Sequence, residues 1–280
     1  MKELSENIDL VSCAFDLTFI RCGSIEKQEA KGEEMSMKKE VMVDMTSGRI
    51  APQILRFAMP VLLGLVFQRI YNFADSYIVG HFLGDNALAA VSVAGVGMYL
   101  VFSLIIGLTT GVTVVMSQYY GAKEEDKVVK TFFSSIFIAL GMTILVTVIG
   151  LLMTRPLLIV LQTPAEVLDA AVLYLRIICA GSVGTMLYNW ISAVLRSLGN
   201  SVVPLIFLGI SSLLNIVFDI LFVAVIPMGV GGAAFATVLA QVISGVACLL
   251  YAWKILPMLR IRRDKLKLDT YIGKQMLVYG

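Results

Sequence analysis

Residues 60–84 read PVLLGLVFQRIYNFADSYIVGHFLG, and what this stretch does decides the class of the whole chain. A helix rises 1.5 Å per residue, so about 20 apolar residues cross the roughly 30 Å hydrocarbon layer of a bilayer. This stretch is long enough, yet it carries Asp75 well inside the span. A charge near mid-bilayer costs about 3 kcal/mol, so such a carboxylate faces protein or water rather than lipid. On a 3.6-residue wheel Gly64, Gln68, Tyr71, Asn72 and Asp75 share one stripe, with Leu63, Val66, Ile70, Phe73 and Tyr77 opposite. The spacing predicts a helix with one lipid face and one polar face.

The rest of the chain fits that reading. Of 280 residues 58% are hydrophobic and only 15% charged, with mean hydropathy +0.87, against about a quarter charged in soluble domains. The fold class expected is all-α: a polytopic membrane protein built as a six-transmembrane-helix lobe. The spans fall at 60–80, 87–119, 131–153, 167–195, 202–226 and 230–256, after a short amphipathic lead-in at 50–58. Residues 1–45 are charged and weakly patterned, and are expected as a disordered extension; Met35, Met37, Met42 and Met45 leave open whether the chain starts later. Cys13, Cys22, Cys179 and Cys248 form no Cys-x-x-Cys pair and suggest neither a disulfide framework nor a zinc site. The net charge is +2, and no nucleic-acid partner is expected.

Lysine and arginine set the orientation. Lys38, Lys39, Arg49 and Arg56 precede the first span, Lys123, Lys127 and Lys130 join the second and third, Arg196 ends the fourth, and five basic residues between 260 and 267 follow the sixth. By the positive-inside rule both ends are cytoplasmic. Residues 257–280 then form a linker and the start of a seventh span, where QMLVYG at 275–280 echoes QILRFA at 53–58. Six helices return the chain to its starting side, so a second unit would begin in the same orientation, as parallel repeats do. The lobe 46–256 is therefore expected to be the first of two, with a C-terminal lobe as partner.

Polar stripes recur on other spans. The fifth presents Ser211, Ser212, Asn215 and Asp219; the sixth Ala233, Thr237, Gln241 and Ser244; the fourth Tyr174, Gly181, Thr185, Tyr188, Asn189 and Ser192. Asp75 and Asp219 each lie fifteen residues after a proline, Pro60 and Pro204, or about 22 Å along spans running the same way. Two carboxylates, an amide oxygen and a hydroxyl at one depth form an oxygen-rich pocket suited to a hard cation or to a shared proton. Plain interhelical hydrogen bonding is the competing account of Ser211, Ser212 and Gln241. Gly95, Gly97, Gly107 and Gly111 read as close-packing surfaces. Three placements fit Arg69: snorkelling, flanking the cavity, or pairing with a carboxylate on another helix.

The chain from about 46 to 280 resembles the multidrug and toxic compound extrusion (MATE) family of cation-coupled antiporters. The residues that carry this are Phe57-Ala-Met-Pro60, Gln68-x-x-Tyr-Asn-x-x-Asp75 with Val79-Gly80, Gly107 to Gly111 leading to Ser117-Gln118 and Gly121-Ala122, Leu195-Arg-Ser-Leu-Gly199, Asn215-x-x-x-Asp219 and Gly232-Ala-Ala-x-Ala-Thr237. The resemblance implies two six-helix lobes around a central cavity that opens alternately to either side. It implies a sodium or proton site at Asp75, Asn215, Asp219 and Thr237, with Tyr71, Tyr174 and Asn189 lining that lobe; the polar stripes add Gln68, Asn72 and Gln241 to the expected cavity lining. It further implies export of organic, often cationic, compounds across a bacterial-type inner membrane, with no cofactor beyond the coupling ion. Arg69 departs from the neutral polar residue expected beside Gln68. The rivals are a lipid-linked oligosaccharide flippase, which calls for several cationic cavity residues, and a non-transporting six-helix assembly protein. No His-Glu-x-x-His or Gly-x-Ser-x-Gly motif supports an intramembrane enzyme.

Overall fold

A computed structural model describes residues 50–256 and 269–280, all within one compact unit, Val43–Gly280. The expected N-terminal extension and the basic run after the sixth span lie outside the described residues. Eight α-helices follow in order: α1 Ile50–Leu83, α2 Asp85–Gly121, α3 Glu125–Val160, α4 Ala165–Ala180, α5 Ser182–Ser197, α6 Val202–Asp219, α7 Gly229–Ile255 and α8 Thr270–Tyr279, with a π-helical segment Ile220–Val225 after α6. Five are long and apolar enough to cross a membrane, and the pair α4–α5 makes a sixth crossing. Helix is what the bilayer demands, since every backbone N–H and C=O there must be satisfied within its own segment.

Several boundaries differ from the sequence reading. The lead-in at 50–58 and the first span are one uninterrupted helix, because Pro60 interrupts one backbone bond without ending the run. The third span extends through Arg155 and Pro156 to Val160. The fourth is not straight: α4 and α5 meet at Gly181 with a 50° bend. A Cβ at Gly181 would run into the Val238 methyls of α7, so the break lies where α7 crosses closest. Between α1 and α2 a single residue turns the chain, Gly84 at φ 84°, a backbone conformation that glycine adopts without strain.

The packing order places the site. α1 lies along α6 and touches α2 near the turn; α6 and α5 both pack on α7; α4 fits between α2 and α7; α3 closes against α2 and α4. Side chains tie α5 to α3, where Trp190 Nε1 donates to Ser135 Oγ at 2.9 Å and Thr147 and Ser182 share a hydroxyl bond of 2.7 Å. α8 seats across α2 and α3, its first turn held by Asp269, whose carboxylate accepts from Tyr271 N and Ile272 N. The outward face of α1 is apolar and bare, with Phe73 75% exposed, as a lipid-facing surface is.

Candidate functional site

The site assembles where α1, α6, α7 and α4 converge. On α1, Asp75 falls one turn beyond Tyr71 and three beyond Gly64, the stripe turned toward α6. On α6, Asn215 and Asp219 are one turn apart, so both project to the same side. Asp219 is 0% exposed and Asp75 9%, and their carboxyl groups are direct neighbours that interact with each other. The backbone changes register immediately after Asp219, where the π-helical segment begins; such segments recur at functional positions because they re-aim the side chains beside them.

The neighbours complete the set. Asn215 Nδ2 donates to Thr237 Oγ1 at 3.2 Å, and that hydroxyl donates in turn to the Ala233 carbonyl at 3.2 Å. Tyr174, buried on α4, reaches Thr237 with its hydroxyl and lies close to both carboxylates, as does Tyr71, which interacts with the Gln68 side chain. A cleft of about 170 Å³, counted to its open mouth, adjoins the cluster and is lined by Tyr71, Ser211, Ser212, Asn215, Thr237, Ala240 and Gln241. The carboxylates stand behind this lining.

What the cluster's carboxylates lack is a donor. Among the described residues, Asp75 Oδ1, both Asp219 oxygens, Asn215 Oδ1 and Gln241 Oε1 are buried without a hydrogen-bond partner. Buried polar atoms are almost always paired, and two carboxylates desolvated side by side repel, so unpaired acceptor oxygens of this kind suit a positive partner. Carboxylate, amide and hydroxyl oxygens are the ligands of hard cations, and a proton held between the two acids would serve the same electrostatic purpose.

The residues predicted from sequence thus fall in four places. Asp75, Asn215, Asp219, Thr237 and Tyr174 meet in the cluster, and Tyr71 and Gln241 line the cleft beside it. Gln68 and Asn72 are exposed on the open side of α1. Asn189 is half-buried on α5 and donates to the Thr185 carbonyl of its own helix at 2.7 Å. Ser211 and Ser212, for which interhelical bonding was the competing account, line the cleft, and Ser212 Oγ bonds back to Leu208 O at 2.8 Å within α6. Ala240 lines it too; with no polar atom, it left no signal in the sequence beyond its place one turn after Thr237.

Known proteins resemble this chain in sequence and fold. The chain is 35% identical over 245 residues to the probable multidrug resistance protein YpnP of Bacillus subtilis strain 168, covering 84% of this chain and 55% of that protein. It superposes on a solved structure described as the outward-facing conformation of a multidrug resistance MATE family transporter of the MOP superfamily, with TM-score 0.77 at 25% identity over 85% of this chain and 52% of that one. The inward-facing conformation of such a transporter gives 0.70 at 26% identity over 81% and 52%. The chain spans about half the length of the curated relatives it matches. The family model described as MatE matches residues 60–221, the region holding Asp75, Asn215 and Asp219. The chain belongs to the MatE family.

Proposed function

We propose that this chain is the first lobe of a cation-coupled multidrug antiporter, with Asp75, Asp219, Asn215 and Thr237 as its cation site. The observation that carries the reading is the carboxylate pair with its neighbouring amide: four buried acceptor oxygens on α1 and α6 with no hydrogen-bond partner among the described residues, next to a cleft with no cationic side chain in its lining. Relatives named for multidrug resistance support the export role. An acidic cluster beside a neutral lining argues against a flippase site for pyrophosphate, which would need several positive charges.

In this mechanism a sodium ion or proton entering from outside discharges the Asp75/Asp219 pair. An organic cation in the cavity competes for the same negative charge, so occupancy by one favours release of the other. With both ends cytoplasmic, inward movement of each positive charge down the membrane potential yields about 2.3 kcal/mol per 100 mV, which can drive the export step. The second lobe, a counterpart of this one, supplies the other wall of the cavity.

The test is cation-driven dye efflux in vesicles carrying the whole polypeptide encoded by the gene. Asp75→Asn and Asp219→Asn are each expected to abolish gradient-driven efflux while leaving the amount of protein unchanged. Wild-type efflux from both variants would remove the mechanism.

A further inference from the structure

The chain beyond Asp219 leaves the α-helical ladder for a reason written in its sequence. At the end of the π-helical segment Ile220–Val225, Ile226 N donates to Leu221 O at 2.9 Å, the i+5 bond of a π turn. The next bond of that kind would run from residue 227 to the Phe222 carbonyl, but residue 227 is proline and has no N–H. Met228 N serves that carbonyl instead, at 2.8 Å. The Phe222 carbonyl, three residues past Asp219, is thus where the end of α6 is tied to the turn that follows.

This carbonyl is seated on α7 at Gly232. A Cβ there would stand 2.9 Å from the Phe222 oxygen, 3.2 Å from its carbonyl carbon and 2.9 Å from Met228 Cβ, closer than side-chain carbons come to backbone. Gly232 does not have a positive φ, so the requirement is for space and not for backbone freedom. The adjacent Gly231 differs: its Cβ would meet Ile177 and Leu173 methyls at 3.4 and 3.6 Å, which is ordinary contact. Other contacts hold the wide turn beside the site. The Phe222 ring stacks on Phe218 of α6 at 5.9 Å and leans on Phe235 of α7 at 5.5 Å, Val223 is buried, and the segment also packs on α1, the helix of Asp75.

Each residue of an α-helix advances about 100° around the axis, so winding the segment as α would leave about that much rotation to be absorbed between Asp219 and the turn at Pro227. We propose that Gly232 is a positioning residue for the cation site: by giving the Phe222 carbonyl its seat on α7 it keeps the wide turn in place, and the wide turn keeps Asp219 aimed at Asp75. This inference rests on the cation-site reading above and adds to it a residue that has no side chain to offer as a ligand.

The test is ethidium efflux from vesicles carrying the whole polypeptide encoded by the gene, titrated with sodium at fixed pH and with protons in the absence of sodium. Gly232→Ala is expected to raise the cation concentration for half-maximal efflux about tenfold or more, as loss of a supporting contact behind an ion ligand does, while the rate at saturating cation stays near wild type. Gly231→Ala should leave the midpoint where it is. Deleting Val225, an exposed residue of the wide turn, alters the same register without touching α7 and should raise the midpoint too. Gly232→Ala that lowers the amount of protein or the maximal rate with the midpoint unchanged, equal midpoint shifts in the two glycine variants, or a wild-type midpoint after deletion of Val225 overturns the inference and leaves the efflux reading standing. Wild-type protein driven by neither gradient overturns both.

Discussion

At the scale of single residues, the cluster depends on groups that differ in what they give up when removed. Asp75 and Asp219 carry charge, whereas Tyr174 contributes one hydroxyl aimed at Thr237 and an aromatic body packed 4% exposed between α2 and α7. Tyr174→Phe keeps the packing and removes the hydroxyl alone. A neutral hydrogen bond contributes about 0.5–1.5 kcal/mol net, so the cation concentration for half-maximal efflux should rise by about 2- to 12-fold with no fall in protein level. A cation titration of dye efflux measures this, and an unchanged midpoint would place Tyr174 outside the site. The four residues of the proposed cation site were singled out in the sequence because membrane chemistry makes a buried carboxylate conspicuous and a one-turn spacing puts Asn215 and Asp219 on one side. Tyr174's link to Thr237 was less legible: tyrosine is common in spans, and only the crossing of α4 with α7 brings the hydroxyls together.

Elements obey a different logic, in which small residues decide how near two helices come. Gly107 and Gly111 of α2 let the α8 backbone settle directly on the helix: a Cβ at Gly107 would stand 2.7 Å from the Gly280 carbonyl oxygen, and one at Gly111 would overlap the Met276 carbonyl. Gly95 on the same helix has nothing within 4 Å of where its Cβ would be. Gly111→Ala is therefore expected to destabilise by about 1–3 kcal/mol through overpacking, while Gly95→Ala is neutral or stabilises by up to about 1 kcal/mol through helix propensity. Thermal melting in detergent distinguishes the two, and equal shifts would refute the α8 seat. The bend at Gly181 follows the same rule. Gly181→Ala should lower the melting temperature, and adding Val238→Ala, which removes the methyls it strikes, should recover most of the loss. The sequence named the glycines of α2 as packing surfaces without saying what packs there. It left the bend at Gly181 and the π-helical segment unread, because neither has a local signature: Gly181 sits at φ −84°, a conformation open to any residue, and the break answers to Val238, 57 residues away.

The molecule as a whole is marked by a deficit of positive charge beside its buried carboxylates. A bundle that brings two carboxylates and an amide oxygen together with no donor to those oxygens is one that the proposed cation would stabilise, so on this reading cation binding and stability are linked. A ligand that binds only the folded state stabilises by about 2.7 kcal/mol at a hundredfold excess over its dissociation constant. Replacing choline by sodium at constant ionic strength should accordingly raise the melting temperature of the purified whole polypeptide by several degrees, saturably, if sodium is the ion held. Asp219→Asn should melt at one temperature in both salts, because the neutral amide no longer calls for a counter-charge and brings its own donor to Asp75. An Arg69→Gln protein, altered outside the cluster, should keep the wild-type sodium shift. A wild-type melting temperature indifferent to sodium at fixed pH would assign the deficit to a proton instead, and a sodium shift that survives in Asp219→Asn would move the cation site away from the place where α1 and α6 meet.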